Sequence, residues 1–349
     1  MINHFRNEMP RPLIGMGHSM VTLPILYPYQ KADLMQGGCQ IAYLSILHPR
    51  LLNSLILIEP VIQSIRSVKS QNSAAGPAYA STFRRDIWPS REAAAAAFRK
   101  NKFYQPWDPR ALDLWIKYGL RELPTALYPD YPPTTSPSSE QKALIAASAS
   151  ATAAPVPPTS PTTQPVTLTT TKHQEVFTFA RPMHPKLGQP LSSSITTRLT
   201  HPDHGIAYGP STSPSYNPSP ITMFEQLQHL RPHCLYLFGG ASYMSTPALV
   251  EEKLRVTGTA FDGNGGQAEG AVQHVVMEGA GHFLTFENTT DVAVEIAKYM
   301  ASELVRFRMN EALLEAEWEK LSTRERTTLS KDWEWWMKEG AKAGRKPKL

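Results

Sequence analysis

A serine becomes a nucleophile when a histidine can take its proton and a carboxylate holds that histidine in place. The chain offers the three groups in the order Ser19, Glu59, His282. Ser19 lies in Gly17-His18-Ser19-Met20, directly after the apolar run Pro12-Leu13-Ile14-Gly15-Met16. A strand entering a sharp turn at a serine pushes its Oγ outward, and such a G-x-S-x-G turn needs small residues on both sides. Here the fifth place is Val21; Gly37-Gly38, further on, supply the small residues, and Cys39-Gln40-Ile41-Ala42-Tyr43-Leu44 reads as the helix that should follow.

His282 sits in Gly279-Ala280-Gly281-His282-Phe283 after an apolar run, where flanking glycines let a loop carry an imidazole over a sheet edge. It is the general-base candidate. His18 is a second nearby histidine, but beside the nucleophile it points away from Oγ, and it reads as packing. The usual place for the acid is the loop after residues 234–238, yet Gly239-Gly240-Ala241-Ser242-Tyr243-Met244-Ser245 contains no carboxylate. Glu59, one strand nearer the serine, takes that role; Asp262 and Glu269, in a glycine-rich loop, are the runners-up.

Residues 21–36 split the serine turn, and two readings stay open. Valine codons begin with GT, glutamine can be CAG, and Ala32-Asp33 can be written GCTGAC, which contains a branch-point-like CTGAC. An intron read in frame fits these marks, and its removal joins Met20 to Gly37. The other reading is a genuine loop insertion.

The elements that must position these groups follow from hydrophobic pattern. Residues 51–58 (LLNSLILI) are a continuous apolar run ending at Glu59-Pro60, the signature of a strand buried on both faces. Residues 234–238 and 273–277 are further strands, with helices at 38–47, 247–256 and 291–309. This alternation predicts a doubly wound parallel sheet. The core is therefore expected over residues 1–60 and 231–309, with a helical lid over 61–230. Within the lid, residues 91–100 are alanine-rich, and Asp108 caps the amphipathic stretch 108–120. Residues 132–171 are nearly all Pro, Ser, Thr and Ala and read as disordered. Residues 310–349 form a C-terminal helix and basic tail, in which Trp333, Trp335 and Trp336 read as packing against the domain rather than docking a partner or membrane.

Bulk properties narrow the class. A 349-residue chain can bury a substantial core, while 31 prolines point to irregular stretches. The net charge of +5 is scattered, with no basic run interleaved with aromatics, which argues against nucleic acid. Cys39 and Cys234 fall in core segments and read as reduced thiols. No metal-ligand spacing, signal peptide or apolar run of roughly 20 residues appears, so no metal, cofactor or transmembrane segment is expected.

The elbow Gly17-His18-Ser19-Met20 with Gly37-Gly38, the strand end Ile58-Glu59-Pro60, the segment Trp107-Asp108-Pro109-Arg110, the strand Leu237-Phe238-Gly239-Gly240 and Gly281-His282-Phe283 resemble the α/β-hydrolase superfamily. Within it they look most like the fungal branch holding the yeast peroxisomal lipase and the hydrolases of host-selective toxin biosynthesis. The likeness spans residues 5–125 and 175–310. It implies Ser19 as nucleophile, Glu59 as acid and His282 as base, with the Met20 N–H as an oxyanion donor. Family members carry earlier strands and a His-Gly loop before the elbow; this chain is expected to lack those N-terminal strands, and with them the second donor. Loss of one such donor costs about 10²- to 10³-fold in rate. The ending Pro347-Lys348-Leu349, after a basic tail, resembles the peroxisomal address Ser-Lys-Leu, so a peroxisomal import receptor is an expected partner and the cytoplasm the other location.

Together these features predict a serine hydrolase acting on a small hydrophobic ester. A peroxisomal acyl thioesterase is one alternative. A catalytically impaired remnant, or a non-enzymatic interaction protein acting through its lid or tryptophan-rich tail, is the other.

Overall fold

The computed structural model describes residues 11–19, 37–64, 76–131, 164–182, 199–201, 203 and 215–343. Met20, residues 21–36, read above as a retained intron or a loop insertion, and the terminal Pro347, Lys348 and Leu349 lie outside the described residues. Two compact units divide the chain, residues 1–296 and 297–349.

In the first unit, β1 (Ile14–His18) is followed by α1 (Gly38–Leu47) and β2 (Ser54–Ile58). Every residue of β2 is buried, as a strand covered on both faces must be. The chain then makes its long excursion. It contains α2 (Pro77–Phe83), β3 (Ile87–Trp88), α3 (Arg91–Lys100), α4 (Pro109–Tyr118), β4 (Leu120–Glu122), β5 (Val166–Leu168), α5 (Lys172–Phe179), β6 (Arg181–Pro182) and β7 (Ser215–Tyr216). The core resumes with α6 (Ser219–Gln226), β8 (His233–Gly239), α7 (Pro247–Val256), β9 (Val272–Met277) and the short α8 (Leu284–Glu287).

Strands β1, β2, β8 and β9 form one sheet in that order, all parallel. The expected doubly wound core is thus present, with all four strands and the helices at Gly38–Leu47 and Pro247–Val256 where the pattern puts them. Its centre packs Ile41, Leu55, Leu57, Met223, Tyr236 and Phe238. Cys39 and Cys234 are free thiols inside it; burial alone pushes the Cys39 thiol up to about 12.

Two expectations about the excursion need correction. It is not purely helical: β3, β5 and β4 form a three-stranded antiparallel sheet. The disorder expected over 132–171 fails at its end, because Val166, Thr167 and Leu168 are buried as the central strand of that sheet; residues 132–163 lie outside the described residues. The core also begins before residue 231, since Ile221, Met223 and Leu227 are buried and Met223 and Leu227 join the central cluster. The excursion has its own core, in which Trp88, Phe98, Tyr104, Trp107 and Leu112 pack with Val166 and Leu168. Ser90 and Asp108 cap α3 and α4 by accepting from the N–H groups of Ala93 and Arg110.

Helix α9 (Thr289–Glu319) begins in the first unit and continues into the second without stopping at residue 309, and α10 (Thr323–Thr327) and α11 (Lys331–Ala343) follow within the second unit. Ser322 and Glu325 form a reciprocal capping box at α10. The three tryptophans do not pack within this unit: Trp333, Trp335 and Trp336 are exposed, and the last two meet edge to face. Among the described residues, no helix is long and apolar enough to cross a membrane.

Candidate active site

Ser19 stands where β1 ends. Its N–H donates to Ile58 O at 2.9 Å, extending the β1–β2 ladder by one bond, while its φ of 55° lies in the left-handed region. That is the strained turn expected of a serine at a strand end, although Ser19 itself is buried. Gly38, at the start of α1, permits it: a Cβ there would sit 2.8 Å from Pro60 Cβ and 3.2 Å from Gly17 O. The small residue that the split motif lacked is therefore Gly38, the second of the two glycines proposed from sequence.

Glu59 repeats the manoeuvre one strand over. Its N–H donates to Leu237 O at 2.9 Å, and its φ is 44°. The side chain is fully buried, so its charge must be met by donors. Oε1 accepts from the Gly239 N–H at 2.7 Å and the Ser245 hydroxyl at 2.5 Å; Oε2 accepts from the Ser242 hydroxyl at 2.6 Å. Oε2 also lies 2.9 Å from His282 Nδ1. Burial pushes the Glu59 carboxyl up, but the bonds from His282, Ser242, Ser245 and Gly239 outweigh it and hold the group below the usual carboxylate range.

His282 reaches both partners from the loop after β9. Its Nε2 is 2.9 Å from Ser19 Oγ and its Nδ1 faces Glu59. Gly279, at φ 75°, turns the chain there. The Gly281 N–H donates to Glu287 Oε2, and the Ala241 N–H donates to Ala280 O, so both neighbouring loops are tied. Gly239 allows that approach, because a Cβ on it would lie 2.3 Å from Gly281 O.

The three residues singled out by type and order thus come together. His18 does more than pack. Its Nε2–H donates to the His282 carbonyl at 2.9 Å, and the two rings lie 5.4 Å apart. Burial, followed by the charge of His282, brings His18 down to about 4 against the weaker opposing effects of that hydrogen bond and Glu59. Of the alternative acids, Asp262 pairs instead with His229 Nδ1 at 2.6 Å, and Glu269 is exposed. Sequence reading missed Ser242 and Ser245, although two hydroxyls in a loop lacking the expected carboxylate are the complement of an acid arriving from elsewhere.

Around His282 the surface is aromatic. Phe283 lies 5.3 Å from its ring, Phe103 meets Phe283 at 5.0 Å, and Trp107 stacks on Phe286 at 4.5 Å. An imidazole within hydrogen-bond reach of a hydroxyl and a buried carboxylate can take the hydroxyl proton while the carboxylate stabilises the resulting cation. Chemically this is the arrangement for acyl transfer.

No protein-family model matches the chain. It is 35% identical to the Type I acyl-CoA thioesterase mpaH of Penicillium roqueforti over an alignment covering 100% of the chain and 72% of that protein. A Type I acyl-CoA thioesterase mpaH of Penicillium brevicompactum is also 35% identical, over 89% of the chain and 63% of its own length. The abhydrolase domain-containing protein ACTT2-1 of Alternaria alternata is 25% identical over 84% of each chain. The chain therefore spans 63% to 72% of the length of the thioesterases it matches. Among solved structures, the peroxisomal alpha-beta-hydrolase Lpx1 of Saccharomyces cerevisiae aligns with a TM-score of 0.44 at 13% identity, covering 98% of the chain and 65% of that protein.

Proposed function

Since the chain belongs to a fungal family of α/β-hydrolases, we propose that it is a serine acyl hydrolase in which Ser19, His282 and Glu59 act as nucleophile, base and acid. The observation that carries this is the continuous contact from Ser19 Oγ through His282 to Glu59, 2.9 Å on each side of the imidazole. Ser19 Oγ attacks the acyl carbon as His282 Nε2 takes its proton. The tetrahedral intermediate collapses with transfer of that proton to the departing alcohol or thiol. Water, activated by the same imidazole, then attacks the acyl-enzyme and releases the acid. Glu59 fixes the imidazole and stabilises its cation throughout. The Met20 N–H is proposed as an oxyanion donor.

The aromatic side chains beside His282 favour a hydrophobic acyl group. The leaving group is proposed to be a thiol, because the relatives at 35% identity carry the name acyl-CoA thioesterase. Hydrolysis of a coenzyme A thioester and a p-nitrophenyl ester of one hydrophobic acid, by the chain and by Ser19→Ala, tests both parts. Activity on both substrates, higher kcat/KM on the thioester and at least about 10³-fold loss in Ser19→Ala are expected. Turnover that survives Ser19→Ala contradicts the proposal.

A further inference from the structure

The loop after β8 has no carboxylate, yet it and the last residue of β8 turn three donors onto the one that follows β2. Each donor has a distinct place. Gly239 N–H and the Ser245 hydroxyl meet Oε1, and the Ser242 hydroxyl shares Oε2 with His282 Nδ1. Ser242 Oγ also accepts from the Met244 N–H at 3.1 Å, so its own proton is directed to Glu59. Backbone bonds from Ser242 N–H to Gly239 O and from Ser245 N–H to Ser242 O hold the loop in this curl. Both serines are buried, at 5% and 6% exposure, and water cannot readily replace either hydroxyl.

We propose that Ser242 and Ser245 are positioning residues for the acid, their hydroxyls clamping the Glu59 carboxylate in the one orientation that presents Oε2 to His282 Nδ1. The inference rests on the triad reading given above. A carboxylate that leaves β2 at a left-handed residue comes from the strand neighbouring the loop that would otherwise hold it, at the same edge of the parallel sheet. The clamp replaces that loop's missing acid with the means of fixing a neighbour's. The charged or titratable groups that feel Glu59 are His282 on its loop, His18 on β1, Tyr243 beside the clamp and Lys253 on α7; none of them supplies the two bonds to the carboxylate that the serines supply.

The test uses the full chain with Ser242→Ala, Ser245→Ala, the double alanine variant and the hydroxyl-retaining Ser242→Thr and Ser245→Thr. Two quantities are read: the pH dependence of covalent labelling of Ser19 by a fluorophosphonate, and the low-field proton resonance of His282 Nδ1–H, which needs no turnover. Labelling near neutral pH is expected to slow about tenfold in each alanine variant and further in the double. Its acid limb should move to higher pH, because a carboxylate stripped of donors takes a proton more readily. The low-field resonance should be lost in the double variant, and threonine should restore both signals. An unchanged acid limb and resonance in the double alanine variant overturn the clamp; if that variant does not fold, the single alanines carry the same comparison. Should the parent chain not label, or Ser19→Ala label equally, the triad reading falls. The resonance still judges the clamp: present in the parent and lost without the hydroxyls supports it, and the same in both overturns it.

Discussion

Ser19 and Glu59 both hold left-handed backbone at strand ends, φ 55° and 44°, at a cost of order 1–3 kcal/mol each. Replacing Ser19 by glycine should therefore leave the protein about 1 kcal/mol more stable than Ser19→Ala while both abolish labelling, and urea unfolding of the pair checks it. The site also sets a pH dependence of stability. His18 is lowered from 6.5 to about 4 and Glu59 is lowered as well, so the unfolded chain binds more protons than the folded one as the medium is acidified. The sign follows: this stability is fully present above the unfolded values and is lost as pH falls, for His18 between about 6.5 and 4. His18→Gln should flatten that window by on the order of 2 kcal/mol in urea titrations at pH 7 and pH 4.5. Ser19, Glu59 and His282 were legible because residue type, order and flanking glycines mark them. His18, Ser242 and Ser245 were not, since each acts through a bond to a distant backbone carbonyl or carboxylate that only the fold brings near.

At the scale of elements, the site depends on how closely β8, the His282 loop and α1 approach one another. A methyl on Gly239 would lie 2.3 Å from Gly281 O and 2.6 Å from Ala280 O. Gly239→Ala should therefore displace the His282 loop, cutting labelling by tenfold or more and lowering the melting temperature, as fluorescence and calorimetry would read. Trp107 is buried and stacks on Phe286, four residues beyond His282. Trp107→Ala should cost about 3–5 kcal/mol and loosen that loop, measured by chemical denaturation and by labelling rate. The sheet strands and helices α1, α3, α4 and α7 were readable because local periodicity and caps specify them. Strand β5 was not: Val166, Thr167 and Leu168 sit in a Pro- and Thr-rich stretch, and only pairing with β3 and β4, far earlier in the chain, makes a strand of them. Likewise, α6 and the turn after it belong to the core through Met223 and Leu227, which composition does not reveal.

For the molecule as a whole, the first unit contains Ser19, His282 and Glu59, the proposed nucleophile, base and acid, and brings them into contact at one edge of a parallel sheet. The relatives named as thioesterases are longer than this chain, so the claim to be tested concerns these 349 residues themselves. The most direct measurement is mass-spectrometric mapping of a fluorophosphonate adduct on the intact chain, made beside Ser19→Ala and His282→Ala. The account predicts a single adduct on Ser19, absent from Ser19→Ala and formed at least about 10³-fold more slowly in His282→Ala. An adduct on another residue, or a folded chain that gives none, would contradict it.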